Sequence, residues 1–306
     1  MISIDEIRGA AARIAPLIHR TPVMRSRLFD ERAGRQCFFK CENLQRGGAF
    51  KIRGAANFLL SLTPEERKRG VVAFSSGNHA QAVAIAAAAT GTRATIAMPT
   101  DAPASKLAAT IDYGASVVHY NRHTDDREAV ASKLAAETGA IVVPPFDHEW
   151  IMAGQGTAAL ELFEEVPDLD AVVACVGGGG LLSGTAVAAK GTRPEIGVFG
   201  AEPEQANDVF LSFQKRERVA IAPPDTIADG LRPTMPGALT FPLILEHAEA
   251  IITVSEPEIR DTVQFIASRL KIVVEPSGAV SAAPALFGKL PPGARRVGIM
   301  LSGGNV

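Results

Sequence analysis

The chain has 306 residues, 31 basic and 33 acidic, for a net charge of −2, so it lacks the cationic footprint of a nucleic-acid or anionic-membrane binder. Its length suits one large or two modest domains, and a hydrophobic share of 47% allows a sizeable core. Three scattered cysteines argue against a disulfide framework and for a reducing, cytoplasmic compartment, and no run of about 18 apolar residues exists to span a membrane.

Ser3-Ile4-Asp5-Glu6 has capping-box spacing, with Ile7, Ala11 and Ile14 at helical intervals after it, so the chain opens on a helix rather than a signal peptide. Thr21-Pro22 breaks that pattern, and Gln36 to Cys41 reads as a strand. Cys37 and Cys41 share a face of it but lack the other ligands of a zinc site, so they are read as core residues. Lys51, between Phe50 and Ile52, opens a helix running through Phe58 to Leu60. The helix dipole and any desolvation both disfavour its ammonium, which suits a neutral amine for Schiff-base chemistry. Taken alone, a lysine snorkelling from a helix start is the plainer reading.

From Gly70 the chain alternates strand-like runs with Ala-rich helices. The strands are Val71–Phe74, Ala94–Met98, Ser116–Tyr120 and Ile141–Val143; the helices lie near Asn78–Thr90, Pro103–Tyr113 and Asp125–Thr138. A second series begins at Ala171 and continues through Ile196–Ala201, Ala250–Val254 and Val297–Leu301. Two such series predict an α/β protein of two lobes, each a mostly parallel twisted sheet flanked by helices, with ligands held in the cleft between them.

Three turns at strand ends carry chemistry. Ser75-Ser76-Gly77-Asn78-His79 offers hydroxyls, an amide and helix N-terminal N–H groups to a carboxylate, or is an ordinary turn capped by Asn78. His79, on an Ala-rich helix, is read as a packed histidine rather than a metal ligand. Gly177-Gly178-Gly179-Gly180-Leu181 follows a β-branched run and opens a helix, which is the construction of a phosphate cradle. It is not a nucleotide loop, because Gly184-Thr185 lacks the lysine between them. Ser302-Gly303-Gly304-Asn305 follows the last strand, and read alone is a simple chain terminus.

In this order, a lysine after Gly-Ala-Phe, Ser-Ser-Gly-Asn-His, the tetraglycine turn and Ser-Gly-Gly-Asn resemble the fold-type-II pyridoxal-phosphate enzymes. The threonine/serine dehydratase and serine racemase branch, which includes 3-hydroxyaspartate ammonia-lyases, is the most similar. The resemblance covers essentially the whole chain, including Ala153-Gly154-Gln155-Gly156-Thr157 and Thr226-Ile227-Ala228-Asp229-Gly230. It implies a large cofactor-binding domain of residues 1–69 and 148–306, a small, mobile domain of residues 70–147 that closes on substrate, and a homodimer.

The resemblance also implies roles. Lys51 forms the internal aldimine with pyridoxal 5′-phosphate and, once displaced by the substrate amine, removes the Cα proton. Phe50 packs beside the ring, Asn78 hydrogen-bonds its 3-oxygen, and Ser302 faces its nitrogen. Gly177, Gly178, Gly179, Gly180 and Leu181 cradle the 5′-phosphate. Ser75, Ser76, Gly77, Asn78 and His79 line the substrate carboxylate site. A neutral serine at the ring nitrogen makes a weaker electron sink than a carboxylate would, which favours expulsion of a β-leaving group. The expected reaction is dehydration and deamination of serine, threonine or 3-hydroxyaspartate to a 2-oxo acid and ammonia. Ser76 matches the acid/base of the racemases on the ring face opposite the lysine, so a serine or aspartate-type racemase is the alternative.

Ala201 to Asp208 is similar to the divalent-cation loop of the racemase branch, with Glu202, the Ala206 carbonyl and Asp208 as hard oxygen ligands for Mg²⁺, Ca²⁺ or Mn²⁺. Acids merely solvated after a strand are the bland reading. Gln45-Arg46-Gly47-Gly48 departs from relatives by a glycine where threonine is common. Arg232 is a candidate partner for a second substrate carboxylate, and Arg127 a further cation to approach the ligand when the small lobe closes, against surface solvation or an ion pair for both. A regulatory domain sensing isoleucine is not expected.

Overall fold

The computed structural model describes residues 2–122 and 124–306, with Ser105 described by its backbone alone. Among the described residues, ten strands form two sheets. β1 (Val23–Met24), β2 (Gln36–Cys41), β7 (Ala171–Cys175), β8 (Gly197–Pro203), β9 (Ala250–Val254) and β10 (Arg296–Leu301) form the larger, in the order β1-β2-β10-β7-β8-β9. Only the pairing of β1 with β2 is antiparallel. β3 (Val71–Phe74), β4 (Ala94–Pro99), β5 (Ser116–Tyr120) and β6 (Ile141–Val142) form the smaller, wholly parallel, in the order β5-β4-β3-β6. The two-series α/β reading of the sequence is therefore correct.

Strands covered by helices on both faces need side chains that tolerate burial on both, and β3 and β7 are buried at every position. The first helix, Ile4–Ile14, has the capping box, and its buried face is Ile7, Ala10 and Ile14, with Ala11 at the margin. Cys37 and Cys41 are fully buried and free, as core residues should be. No helix among the described residues is long and apolar enough to cross a membrane.

What positions the site is a close helix crossing. The helix Glu149–Glu165 packs against both Lys51–Ser61 and Gly180–Thr192. A Cβ on Gly154 would lie 2.6 Å from the Arg53 carbonyl oxygen, and one on Gly184 would lie 2.4 Å from that of Met152. Glycine is required at both contacts, so the Gly154-Gln155-Gly156 segment is explained by packing. The helix after the tetraglycine turn is thereby keyed to the helix that carries Lys51. That second helix faces the smaller sheet as well: Ile52, Ala55, Phe58 and Leu59 share a core with Val71, Val83 and Ile96.

Candidate active site

The C-terminal ends of β3, β7 and β10 open on one cleft of ≈ 880 Å³, lined among others by Lys51, Asn78, Gly178, Arg232, Glu275 and Ser302. Parallel sheets place ligands at this edge because the following helices begin there and aim their N–H groups into the same space.

Lys51 opens its helix with no side-chain cap, so its amine sits at the positive end of the dipole. Its Nζ donates to the Pro145 carbonyl at 2.8 Å and lies 5.2 Å from the centroid of the Phe50 ring. One edge of the residue reaches the cleft, yet the surrounding protein strips water from the ammonium and pushes its pKa down to about 8.

The tetraglycine turn is shaped by its surroundings. Gly179, at φ +100°, has a conformation that side chains resist, and a Cβ there would lie 2.6 Å from Thr240 Oγ1. The carbonyl of Gly178 accepts from Thr240 Oγ1 at 2.7 Å and from Gly237 N at 3.1 Å. With that oxygen turned out and no side-chain cap on the helix Gly180–Thr192, the first-turn N–H groups are left for an anion. Phe146 closes the other side, its ring 2.3 Å from where a Gly178 Cβ would stand. The set fits pyridoxal phosphate: a cradle for the phosphate, an amine of depressed pKa for the aldehyde, and polar side chains between them.

Those side chains are Asn78 and Ser302. Asn78 Nδ2 donates to Glu275 Oε1 at 2.7 Å, and Asn78 Oδ1 accepts from Asn305 Nδ2 at 2.9 Å. Ser302 is buried, and its Oγ accepts from Cys175 Sγ at 3.3 Å. Glu275 is nearly enclosed, and burial pushes its pKa up to about 7 although the Asn78 bond pulls the other way.

Ser75, Ser76 and Gly77 line the mouth beside the start of the helix Asn78–Thr90. His79 also reaches the cleft but is buried, with Nε2 3.0 Å from the Val143 carbonyl oxygen. Burial, then repulsion from Lys51, hold its pKa down at about 3, so it is a neutral packed ring. Arg127 stacks over Phe74 at 5.7 Å, and Arg232 donates twice to the Thr226 carbonyl, at 3.2 and 2.6 Å. Both line the cleft, and among the described residues neither has a carboxylate in ion-pair range.

Away from the cleft, Glu202 lies one residue before the end of β8, Ala206 is on the turn after it, and Asp208 opens the helix Asp208–Lys215. Glu202 Oε1 accepts from Phe210 N at 2.6 Å, but Glu202 Oε2 and both Asp208 oxygens are buried without a hydrogen-bond partner. Burial raises the pKa of Asp208 to about 7, and burial with repulsion from Asp208 raises that of Glu202 well above the usual carboxylate range. Three orphaned carboxylate oxygens at one buried strand-to-helix junction fit a divalent cation, although the described residues hold no cluster of three ligating side chains.

Sequence reasoning gave no site role to several cleft residues, Glu275, Cys175, Lys106, Asp229, Pro145 and Phe146 among them. Glu275, ahead of Pro276, carries only the signature of a helix start; Cys175 reads as one more strand residue. Lys106 and Asp229 form a 2.7 Å ion pair across the cleft mouth that no local spacing announces.

Comparison with known proteins agrees with this geometry. The family of pyridoxal-phosphate dependent enzymes matches residues 14–303, and the chain belongs to it. L-threo-3-hydroxyaspartate ammonia-lyase of Saccharomyces cerevisiae is 49% identical over 301 residues, spanning 98% of this chain and 92% of that one. Serine racemase of Schizosaccharomyces pombe is also 49% identical, over 302 residues, 99% of this chain and 94% of the other. The crystal structure of serine racemase from Dictyostelium discoideum superposes with a TM-score of 0.95 at 43% identity, covering 100% and 99% of the two chains.

Proposed function

We propose that this protein is a pyridoxal-phosphate-dependent ammonia-lyase that dehydrates a β-hydroxy amino acid, with 3-hydroxyaspartate its leading substrate, to a 2-oxo acid and ammonia. The observation that carries the substrate is the pair Arg127 and Arg232. Two guanidinium groups line the cleft without carboxylate partners among the described residues, which suits a substrate bringing a second carboxylate besides the α-carboxylate. Both Saccharomyces cerevisiae and Pseudomonas relatives at 49% and 48% identity bear the name L-threo-3-hydroxyaspartate ammonia-lyase.

When bound, the cofactor withdraws electrons from the substrate Cα and so acidifies its proton. The chain's residues do the rest. The turn Gly177–Leu181 holds the phosphate, Phe50 packs beside the ring, Asn78 donates to the 3-oxygen and Ser302 meets the ring nitrogen. Ser75, Ser76, Gly77 and the N–H groups at the helix start receive the α-carboxylate. The Lys51 amine removes the Cα proton, a role its depressed pKa favours. Loss of the β-hydroxyl as water leaves an enamine, which after release tautomerises to an imine and hydrolyses to the 2-oxo acid and ammonia.

Serine racemase relatives, among them that of Schizosaccharomyces pombe, support a second activity. Ser76 is its proposed acid/base on the face opposite Lys51. Glu202, Asp208 and the Ala206 carbonyl are the proposed ligands of Mg²⁺, Ca²⁺ or Mn²⁺, supported by the orphaned oxygens. A reducing, cytoplasmic compartment is proposed on the three free buried cysteines. A second copy of the chain is the proposed partner, favoured by the exposed Leu44 and Val273 beside the Asn43–Val273 hydrogen bond.

The test is a panel of L- and D-serine, threonine and the 3-hydroxyaspartate stereoisomers, scored for ammonia and for inverted amino acid. Greatest kcat/KM on a 3-hydroxyaspartate, lost in Lys51→Ala together with the visible absorbance of the bound cofactor, is the expected result. A colourless protein that does not bind the cofactor overturns the whole reading. Arg232→Ala and Arg127→Ala should raise KM for hydroxyaspartate more than for serine; equal effects on both overturn the dicarboxylate assignment. Ser76→Ala should remove inversion and spare ammonia release.

A further inference from the structure

Asn78 is a link in a hydrogen-bond chain whose direction is set elsewhere. It begins at the carbonyl of Gly47, which can only accept. Asn305 Nδ2 donates to that carbonyl at 2.8 Å and to Asn78 Oδ1 at 2.9 Å, so both hydrogens of the Asn305 amide are committed. The polarity is therefore not arbitrary: a flipped Asn305 would set oxygen against the Gly47 carbonyl. With Asn305 fixed, Asn78 must present oxygen to it and nitrogen to the other side. That nitrogen donates to Glu275 Oε1 at 2.7 Å. One N–H of Asn78 is left uncommitted.

The surrounding backbone is cut to fit this chain. Gly48, at φ +72°, leaves room for Asn305, since a Cβ there would lie 2.1 Å from Asn305 Oδ1. Gly303 does the same for Glu275, where a Cβ would lie 2.3 Å from Oε1. Backbone bonds from Gly304 N to Gly48 O at 2.9 Å and from Glu275 N to Gly303 O at 3.1 Å hold the three segments in register. Glu275 Oε2 is buried without a partner, so the carboxyl has been placed against Asn78 at a desolvation cost that packing alone does not explain.

We infer that Asn305 and Glu275 are positioning residues: they lock the Asn78 amide so that its one uncommitted N–H is the group offered to the 3-oxygen of the cofactor ring. This rests on the proposed reading that Asn78 serves that oxygen. Neither residue needs to touch substrate. Their effect is on the electronic state of the bound cofactor, which a merely structural role would not alter.

The experiment is a pH titration of the holoenzyme's visible absorbance, with cofactor affinity measured alongside, for the unaltered protein and four variants. Asn305→Asp removes the donor to Gly47 and accepts from Asn78, reversing the amide. Glu275→Leu removes the acceptor. Each should shift the pH midpoint or the balance of the bound-cofactor bands and weaken cofactor binding about tenfold, the equivalent of one lost hydrogen bond. Glu275→Gln keeps an acceptor oxygen and should restore the spectrum. Asn305→Ala removes the donor without adding charge and gives the same reading if the aspartate variant does not fold. Spectra and pH profiles superimposable on the unaltered protein in folded Asn305→Ala and Glu275→Leu overturn the inference while leaving the cofactor reading intact. Failure of the unaltered protein to bind cofactor overturns both.

Discussion

Lys51 Nζ donates to the Pro145 carbonyl across 2.8 Å, and both residues line the cleft. Lys51 heads a helix keyed by glycine contacts to the larger sheet's helices; Pro145 follows β6, the edge strand of the smaller sheet. The Lys51 amine is thus tethered through a neutral carbonyl to the segment after the smaller sheet's edge strand, and among the described residues no carboxylate pairs with it.

A pH dependence follows from this. Burial lowers the Lys51 pKa from 10.5 to about 8, and only the neutral amine attacks the cofactor aldehyde. The rate at which apoenzyme captures pyridoxal phosphate should rise about tenfold per pH unit well below that value and level off above it. The stability of apoenzyme should move in the same direction. Between pH 8 and 10.5 the unfolded chain binds the proton that the folded one has lost, so unfolding free energy rises with pH across that window. Stopped-flow mixing with the cofactor and denaturant curves of apoenzyme check the two claims; a capture rate flat with pH contradicts the first.

Lys51, Asn78 and Gly177 to Leu181 could be singled out in the sequence because each sits where a strand or turn passes into a helix, and Ser302 because it follows the last strand. Such junctions are written in consecutive residues. Both sheets were legible for a similar reason, since parallel strands covered on both sides are short apolar runs separated by helices. Glu275, Asn305, Phe146 and Pro145 were not legible as site residues. Their roles depend on which segment they meet, and Asn305 meets Asn78 across 227 residues of chain. The bland reading of the terminal Ser302–Asn305 segment fails for that reason. Burial also separated residues of the same type: Asp208 is enclosed, whereas Asp5 is exposed on the first helix.

The helix that carries Lys51 is anchored by a buried charge cluster. Arg53 pairs with both oxygens of Glu42, at 2.7 and 2.8 Å, and with Glu161 at 2.7 and 2.9 Å; Lys40 adds a 2.6 Å bond to Glu161. Arg53, Glu42 and Lys40 are fully buried. Removing one member strands the opposite charge without water, which costs about 3–5 kcal/mol. Arg53→Met should lower the unfolding free energy by that amount in urea. A loss below about 1 kcal/mol would mean that the cluster is solvated or relaxes.

Glu202 and Asp208 raise a second question of unbalanced charge. Their three orphaned oxygens are costly if ionised, and a divalent cation would remove the penalty. Adding Mg²⁺, Ca²⁺ or Mn²⁺ to chelator-treated protein should raise Tm, in proportion to RT ln(1 + [M]/Kd). Asp208→Asn should abolish the response while the cofactor remains bound. Thermal melts with and without each ion decide it: a Tm unmoved by all three removes the metal assignment and leaves the two acids to be held by protons.

The last prediction concerns the phosphate turn. Phe146 fills the space beside Gly178, its Cδ1, Cε1 and Cγ at 2.3, 2.3 and 2.4 Å from where a Cβ would stand. Gly178→Ala therefore forces either the ring or the turn to move. The ring is constrained on its far side by its own backbone, since Phe146 Cα lies 3.2 Å from a Cβ position on Gly180 and the next residue, Asp147, caps the helix Thr240–His247 through three backbone N–H groups. Displacing the ring disturbs that cap, and displacing the turn spoils the aim of its N–H groups. Overpacking of this kind costs about 1–3 kcal/mol, so cofactor affinity should fall roughly 5- to 150-fold. Phe146→Ala in the same chain removes the obstruction and should return most of that loss, a coupling that separates steric displacement from a simple change in backbone freedom. Equilibrium dialysis of pyridoxal phosphate against the two single variants and the double variant measures the coupling directly. Additive effects would show that Gly178 acts through its own backbone conformation and not through the ring.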